Sequence, residues 1–168
     1  LVDRRTSTEF LSKDQGPVSA ALTQDPNDGT WIELDCGQVS SFTGFRHLDQ
    51  FNRNDWVASS RLWFSIDATF DNADSSVILN HHSHGTAVDY SFAAIAARYV
   101  RWEVTADLDP TKGSGAMGGA EAALLITGDL ALLPPPTFLL GSNGQAGAAA
   151  NLLVDGNPAT TFISSGQG

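Results

Sequence analysis

The chain is nearly without sulfur, with one Cys and one Met among 168 residues. A single Cys rules out an internal disulfide framework, so stability has to come from a packed core. Basic residues are also scarce, nine Lys and Arg against nineteen Asp and Glu, for a net charge of −10. Nucleic acids and anionic membranes are held through basic surface, so neither is expected as a partner. No apolar run approaches the ~18 residues of a spanning helix, which argues against membrane insertion. The opening residues carry no signal-peptide pattern, although the chain starts at Leu1 rather than Met. No Gly-x-Ser-x-Gly elbow and no phosphate-cradling glycine loop is present, and nothing points to a carboxylate pair. An enzyme is not expected.

What remains is a chain of short, dense apolar runs. Hydrophobic residues make up 42%, and 16 Gly with 7 Pro supply many turns. Residues 96–105, AARYVRWEVT, alternate Val100, Trp102 and Val104 against Tyr99, Arg101 and Glu103. Residues 31–37, WIELDCG, alternate Ile32, Leu34 and Cys36 against Glu33 and Asp35. Period-two patterns rich in β-branched and aromatic residues mark strands with one dry and one wet face.

Further strands are expected at 42–48, 61–67, 77–79, 88–92 and 121–127. Residues 93–97 are expected to form a helical turn and 37–41 a turn. Residues 49–60 read as a long exposed loop. In 61–67, Leu62, Phe64 and Ile66 oppose Arg61, Trp63 and Ser65. No long helix is legible, so the class is all-β, an antiparallel β-sandwich.

The tryptophan-led strand ending in Asp-x-Gly, the following Gly-Phe strand, and Ala-Arg-Tyr-Val-Arg-x-Glu-Val together resemble the discoidin domain. That family is also called the coagulation factor five/eight C-type domain, and it is similar to the family 32 carbohydrate-binding modules. The resemblance runs from about residue 1 to 128 and implies a jelly-roll, galactose-binding-like sandwich. Cys36 stands where the family has an aliphatic residue, and a buried thiol is a serviceable small hydrophobe.

Residues 1–16 and 153–168 match at eight of sixteen aligned positions, through Leu, Val, Asp, Thr, Phe, Ser, Gln and Gly. An internal repeat of this kind divides the chain into a sandwich over 1–130, a Pro-rich linker over 131–136, and the start of a second, repeated domain over 137–168. The first sandwich then lacks its opening strand. Residues 137–152 hold the equivalent segment beyond Pro134, Pro135 and Pro136, a stiff extended spacer. The expectation is that this segment completes a neighbouring domain, covalently continued or donated between subunits.

The resemblance also implies sites. Discoidin-like sandwiches often hold a structural Ca²⁺ or Na⁺ in an opening Asp-x-Asn-x-x-Thr loop, completed by Ala-Glu before the last strand. Residue by residue this gives Asp3, Arg5 and Thr8 with Ala120 and Glu121, and Asp155, Asn157 and Thr160 in the second copy. Oxygen donors suit a hard cation. Arg5 departs from the pattern and offers only its carbonyl.

In the family 32 modules, loops at one end bind sugar through a few polar groups and a stacking aromatic. The matching loops are 49–60, 80–86 and 106–119. The first supplies His47, Asp49, Gln50, Asn52, Arg53, Asn54 and Trp56. An indole suits the C–H face of a pyranose, while amides and a guanidinium suit its hydroxyls. The third loop has no aromatic, and Asp49 or Gln50 stands where the family often has a basic residue.

His81, His82 and His84 lie in NHHSHG, where imidazoles could ligate Zn²⁺ or Cu²⁺. Only His82 and His84 converge on an extended chain, and a solvated turn is the expected role. Two functions follow. One is a non-catalytic carbohydrate-binding or adhesive module of a tandem-repeat secreted or cell-surface protein, with a glycan as partner. The other is a structural repeat of an extracellular filament or surface array, with neighbouring copies as partner.

Overall fold

The computed structural model describes residues 10–11, 16–25, 28–49, 56–71, 74–82, 85–109, 118–119, 121–127 and 137–141. For 10–11, 118–119, 121 and 137–141 only the backbone is described. The strands are β1 (Phe10–Leu11), β2 (Trp31–Leu48), β3 (Val57–Ser65), β4 (Ser75–Asn80), β5 (Val88–Asp107), β6 (Gly118–Gly119), β7 (Glu121–Ile126) and β8 (Thr137–Gly141). Every pairing is antiparallel, and no helix occurs among the described residues. The all-β sandwich read from the sequence is the fold.

Two long strands carry the architecture. β2 and β5 pair from Trp31↔Glu103 to His47↔Val88, and each contributes to both layers. One layer runs β4-β3-β5-β2-β8, using the end of β5 and the start of β2. The other is built from the start of β5, the end of β2, and β7. β1 and β6 form a small separate pair.

The crossing from layer to layer explains two differences from the sequence reading. The expected turn at 37–41 is a bulge inside β2, where the register jumps between Asp35 and Ser40. Gly37 supplies a φ of 79°, and its N–H donates to Asp35 Oδ1 at 2.8 Å. Glycine takes this left-handed conformation without strain. The expected helical turn at 93–97 is strand, because Ile95, Ala96 and Ala97 pair with Phe42, Ser41 and Ser40.

The core lies between the layers. Ile32, Leu34, Leu62, Phe64, Val100, Trp102 and Val104 come from one side, and Phe42, Phe45, Tyr90, Ala97 and Ala122 from the other. Phe42 meets Phe64 at 5.9 Å between ring centroids, and Phe45 meets Trp102 at 6.1 Å. Cys36 is buried, and desolvation pushes its thiol up to about 12. It is therefore inert filling, as expected. Ile66 departs from the alternation: β3 ends at Ser65, so Ile66 is 68% exposed.

The largest correction concerns the wet face. Glu33, Arg101 and Glu103 point away from the core, as the alternation predicts, yet all three are buried. Residues 16–25 and 28–30 lie over them as a strap. Val18 N donates to Val104 O at 2.9 Å, and Val104 N donates to Thr30 O at 2.9 Å. Gly29 has a φ of 72°, and a Cβ there would lie 2.3 Å from Val18 Cα, so the strap closes on itself only through a glycine.

β8 is the second difference. Thr137–Gly141 pairs with β2 of its own sandwich, Asp35↔Thr137 through Ile32↔Gly141. The triple proline does not hold this segment away from its own sheet. The rest of the expected second domain, and the repeat segments 1–9 and 153–168, lie outside the described residues.

Candidate functional site

The loop end of the sandwich is floored by an imidazole and aromatic cluster. His47 follows Phe45 on the inward face of β2 and is 2% exposed, while Asp49 is 3% exposed. His81 keeps the inward parity of Val77 and Leu79 just past the end of β4, and is buried as well. The His47 and His81 rings meet edge to face at 4.7 Å, and His81 meets Tyr90 at 4.8 Å. His47 also stacks on Phe45 at 6.1 Å and lies 5.5 Å from Trp102. The Ser60 hydroxyl and His81 Nε2 share a hydrogen bond of 2.8 Å.

This overturns the solvated-turn reading of His81, which is part of the packed interior. His82 stays exposed beside Tyr90, at 5.5 Å between rings. His84 lies outside the described residues. Among the described residues no group of three His, Cys, Asp or Glu is arranged to hold a metal.

The first candidate loop is clasped at its base. Asp49 Oδ1 accepts the N–H of Val57 at 3.1 Å, joining the two ends of the span 50–56. Leu108 N donates to Trp56 O at 3.0 Å, tying that loop to the one after β5. Trp56 is half-buried, and Leu108 beside it is 45% exposed. Burial, together with the charge of Asp49, pushes the Tyr90 hydroxyl up, so it remains a neutral phenol. His47 Nδ1 lies 3.9 Å from Asp49 Oδ1.

The site residues expected from sequence thus separate. His47 and Asp49 sit beneath the surface and shape the loop base, and Trp56 stands at its rim. Gln50, Asn52, Arg53 and Asn54 lie outside the described residues. So do Asp3, Arg5, Thr8, Ala120, Asp155, Asn157 and Thr160, while Glu121 opens β7 opposite Leu48. Sequence reasoning passed over Ser60, Tyr90 and Leu108, and placed His81 in a solvated turn. The Val77, Leu79, His81 alternation was the available signal that His81 faces inward.

No protein-family model matches the sequence, and no curated protein matches it. Solved structures do. The CBM32-5 module of a Clostridium perfringens GH89 protein, in complex with GalNAc-β-1,3-galactose, is 17% identical with a TM-score of 0.53. The match covers 73% of this chain and 78% of that one. An F5/8 type C domain from Bacteroides fragilis is 14% identical with a TM-score of 0.52, over 73% and 76% of the two chains. The C-terminal domain of a Bacteroides fragilis chitobiase is 17% identical over 58% of this chain, which spans 62% of that chain. Its TM-score is 0.47. The chain shares the galactose-binding-like fold of the first two.

Proposed function

We propose, from the fold shared with F5/8 type C domains and family 32 carbohydrate-binding modules, that this protein is a non-catalytic carbohydrate-binding module of a secreted or cell-surface protein. The observation that carries the reading is Trp56, half-buried at the rim of a loop whose base is pinned by Asp49 and by Leu108. Backbone pinned at Trp56 and Val57 leaves less chain to order when the indole stacks on a sugar, which lowers the cost of binding. The exposed Leu108 widens the apolar surface offered to a pyranose face. In this reading Gln50, Asn52, Arg53 and Asn54, neighbours of Trp56 in sequence, supply the polar contacts to the sugar hydroxyls.

Trp56→Ala is expected to abolish binding to galactose- and GalNAc-terminated glycans on an array while costing little stability. A loss of ~3–5 kcal/mol in denaturation, the cost of emptying a core Trp site, would make Trp56 a packing residue and defeat the reading.

The duplicated segments 1–16 and 153–168 support a second reading, a structural repeat within an array. It requires no strand donation. On the same array a purely structural repeat gives no saturable sugar binding in the wild type.

A further inference from the structure

Among the described strands β4 closes one side of its layer, and its own residues carry neither the charge, the proline nor the bulge that blunts an edge strand. Its sequence, SSVILN, has no Pro and no charge. Its register with β3 is regular from Ser59↔Asn80 to Phe64↔Ser75, without a bulge. Unprotected edges of this kind template pairing with another chain.

The backbone fixes which residues would pair. His81 N donates to Ala58 O at 2.8 Å, one step beyond the Ser59↔Asn80 pair, which fixes the phase of hydrogen bonding along the β3–β4 ladder. Bonded and non-bonded pairs alternate along an antiparallel ladder. Leu79, Val77 and Ser75 therefore spend their N–H and C=O groups on β3. Ser76, Ile78 and Asn80 direct theirs to the free edge. Ile78 is 59% exposed, an apolar side chain on a strand otherwise ending in small polar residues.

We infer that β4 is a self-complementary interface that joins two copies of this chain edge to edge. A two-fold axis at Ile78 sets Ile78 against Ile78 of the second copy, Ser76 against Asn80, and Asp74 against His82. The outward backbone groups of each strand then meet those of the other, and the two layers become one continuous sheet. The axis makes the contact isologous, so it closes at a dimer. Charge favours this face over others: the protein carries −10, while β4 itself is neutral and sets acidic Asp74 level with an imidazole. The inference goes beyond sugar binding and holds whether or not the loop end takes a glycan.

The contact is smaller than the ~1,200 Å² of a standard interface, so sedimentation should be followed from about 10 µM to about 1 mM. The wild type is expected to shift reversibly from monomer to dimer. Ile78→Lys, on an exposed position, is expected to fold normally and raise Kd at least about tenfold, because a lysine at the axis meets its own copy. Ile78→Cys is expected to form a disulfide-linked dimer under mild oxidant, since bonded antiparallel partners lie about 5.5 Å apart at Cα. Cys36, the only native thiol, is buried and stays silent. Ile66→Cys, at another exposed isoleucine, is the control. A wild type that stays monomeric, a Lys variant that dimerises equally well, or linkage no faster than in the control would each overturn the inference.

Discussion

Arg101, Glu33 and Glu103 are as deeply buried as His47, His81 and Ser60, yet the two clusters hold their polar groups by different means. The outer-face cluster is ionic. Arg101 donates through Nε to Glu103 and through Nη1 to Glu33, each at 2.8 Å, and through Nη2 to the carbonyl of Thr23. Its guanidinium lies 4.0 Å over the Trp31 ring. Glu103 also accepts Trp63 Nε1 at 2.9 Å and the N–H of Leu22 at 2.7 Å. The loop-end cluster is built on ring contacts and a hydroxyl–imidazole bond. The ionic cluster fastens backbone of the strap, and Leu22 is held there at a φ of 56°, unusual for a bulky residue. The imidazole cluster floors a loop and leaves its rim accessible. One region is a clamp and the other is a platform.

Removing the centre of the clamp should have the largest effect. Arg101→Met leaves two buried carboxylates without their cation, and a loss of about 3–5 kcal/mol is expected in urea denaturation. The strap at 16–25 should become sensitive to protease at the same time. A loss below about 1 kcal/mol would show that the strap is held by backbone pairing alone and erase the contrast.

The platform should break more gently. His81→Leu leaves the Ser60 hydroxyl buried without its partner and is expected to cost about 1–3 kcal/mol. Adding Ser60→Ala should recover part of that loss, and a double-mutant cycle measures the share carried by the bond. Strict additivity would reduce His81 to a space-filling ring.

A surface pair sharpens the comparison from below. Arg98 grips Asp35 with two bonds of 2.8 Å, and those bonds, with the Gly37 N–H, hold the Asp35 carboxyl below its ordinary range. A depressed folded-state pKa gives stability that is present above the unfolded value of ~3.9 and lost as pH falls through the folded one. The gap in melting temperature between wild type and Asp35→Asn should therefore be full near neutrality and close on acidification. It should also be the smallest of these effects, because the pair is partly exposed and screened. A gap that widens in acid would mean that Asp35 is stabilised as the protonated acid.

The strands were legible because Val100, Trp102 and Val104 alternate against Tyr99, Arg101 and Glu103 whatever lies above them. What covers the second face was not legible, because parity reports direction and not accessibility. The strap at 16–30 is polar and glycine-bearing, and nothing in its composition says that it folds back over Arg101. The joined strands were missed for a related reason. Gly37 reads as a turn locally, and only long-range pairing of Ser40 with Ala97 makes it a bulge. At the loop end Trp56 was legible as a ring in a polar stretch. The burial of His47 and Asp49 depends on β3, β4 and β5 converging there, which no local pattern records.

The way β2 and β5 serve both layers also bears on how the chain reaches its native state. Their ladder begins at His47↔Val88 and ends at Trp31↔Glu103, with all of β3 and β4 looped between them. Neither layer can be completed until that long loop has closed, so the two layers form in one event and not in succession. The β3–β4 hairpin is the only neighbouring pair along the chain available to form earlier among the described strands. Contacts this distant in sequence must be brought together before they return any stabilisation, which places the chain among slow, highly cooperative folders on the millisecond-to-second scale.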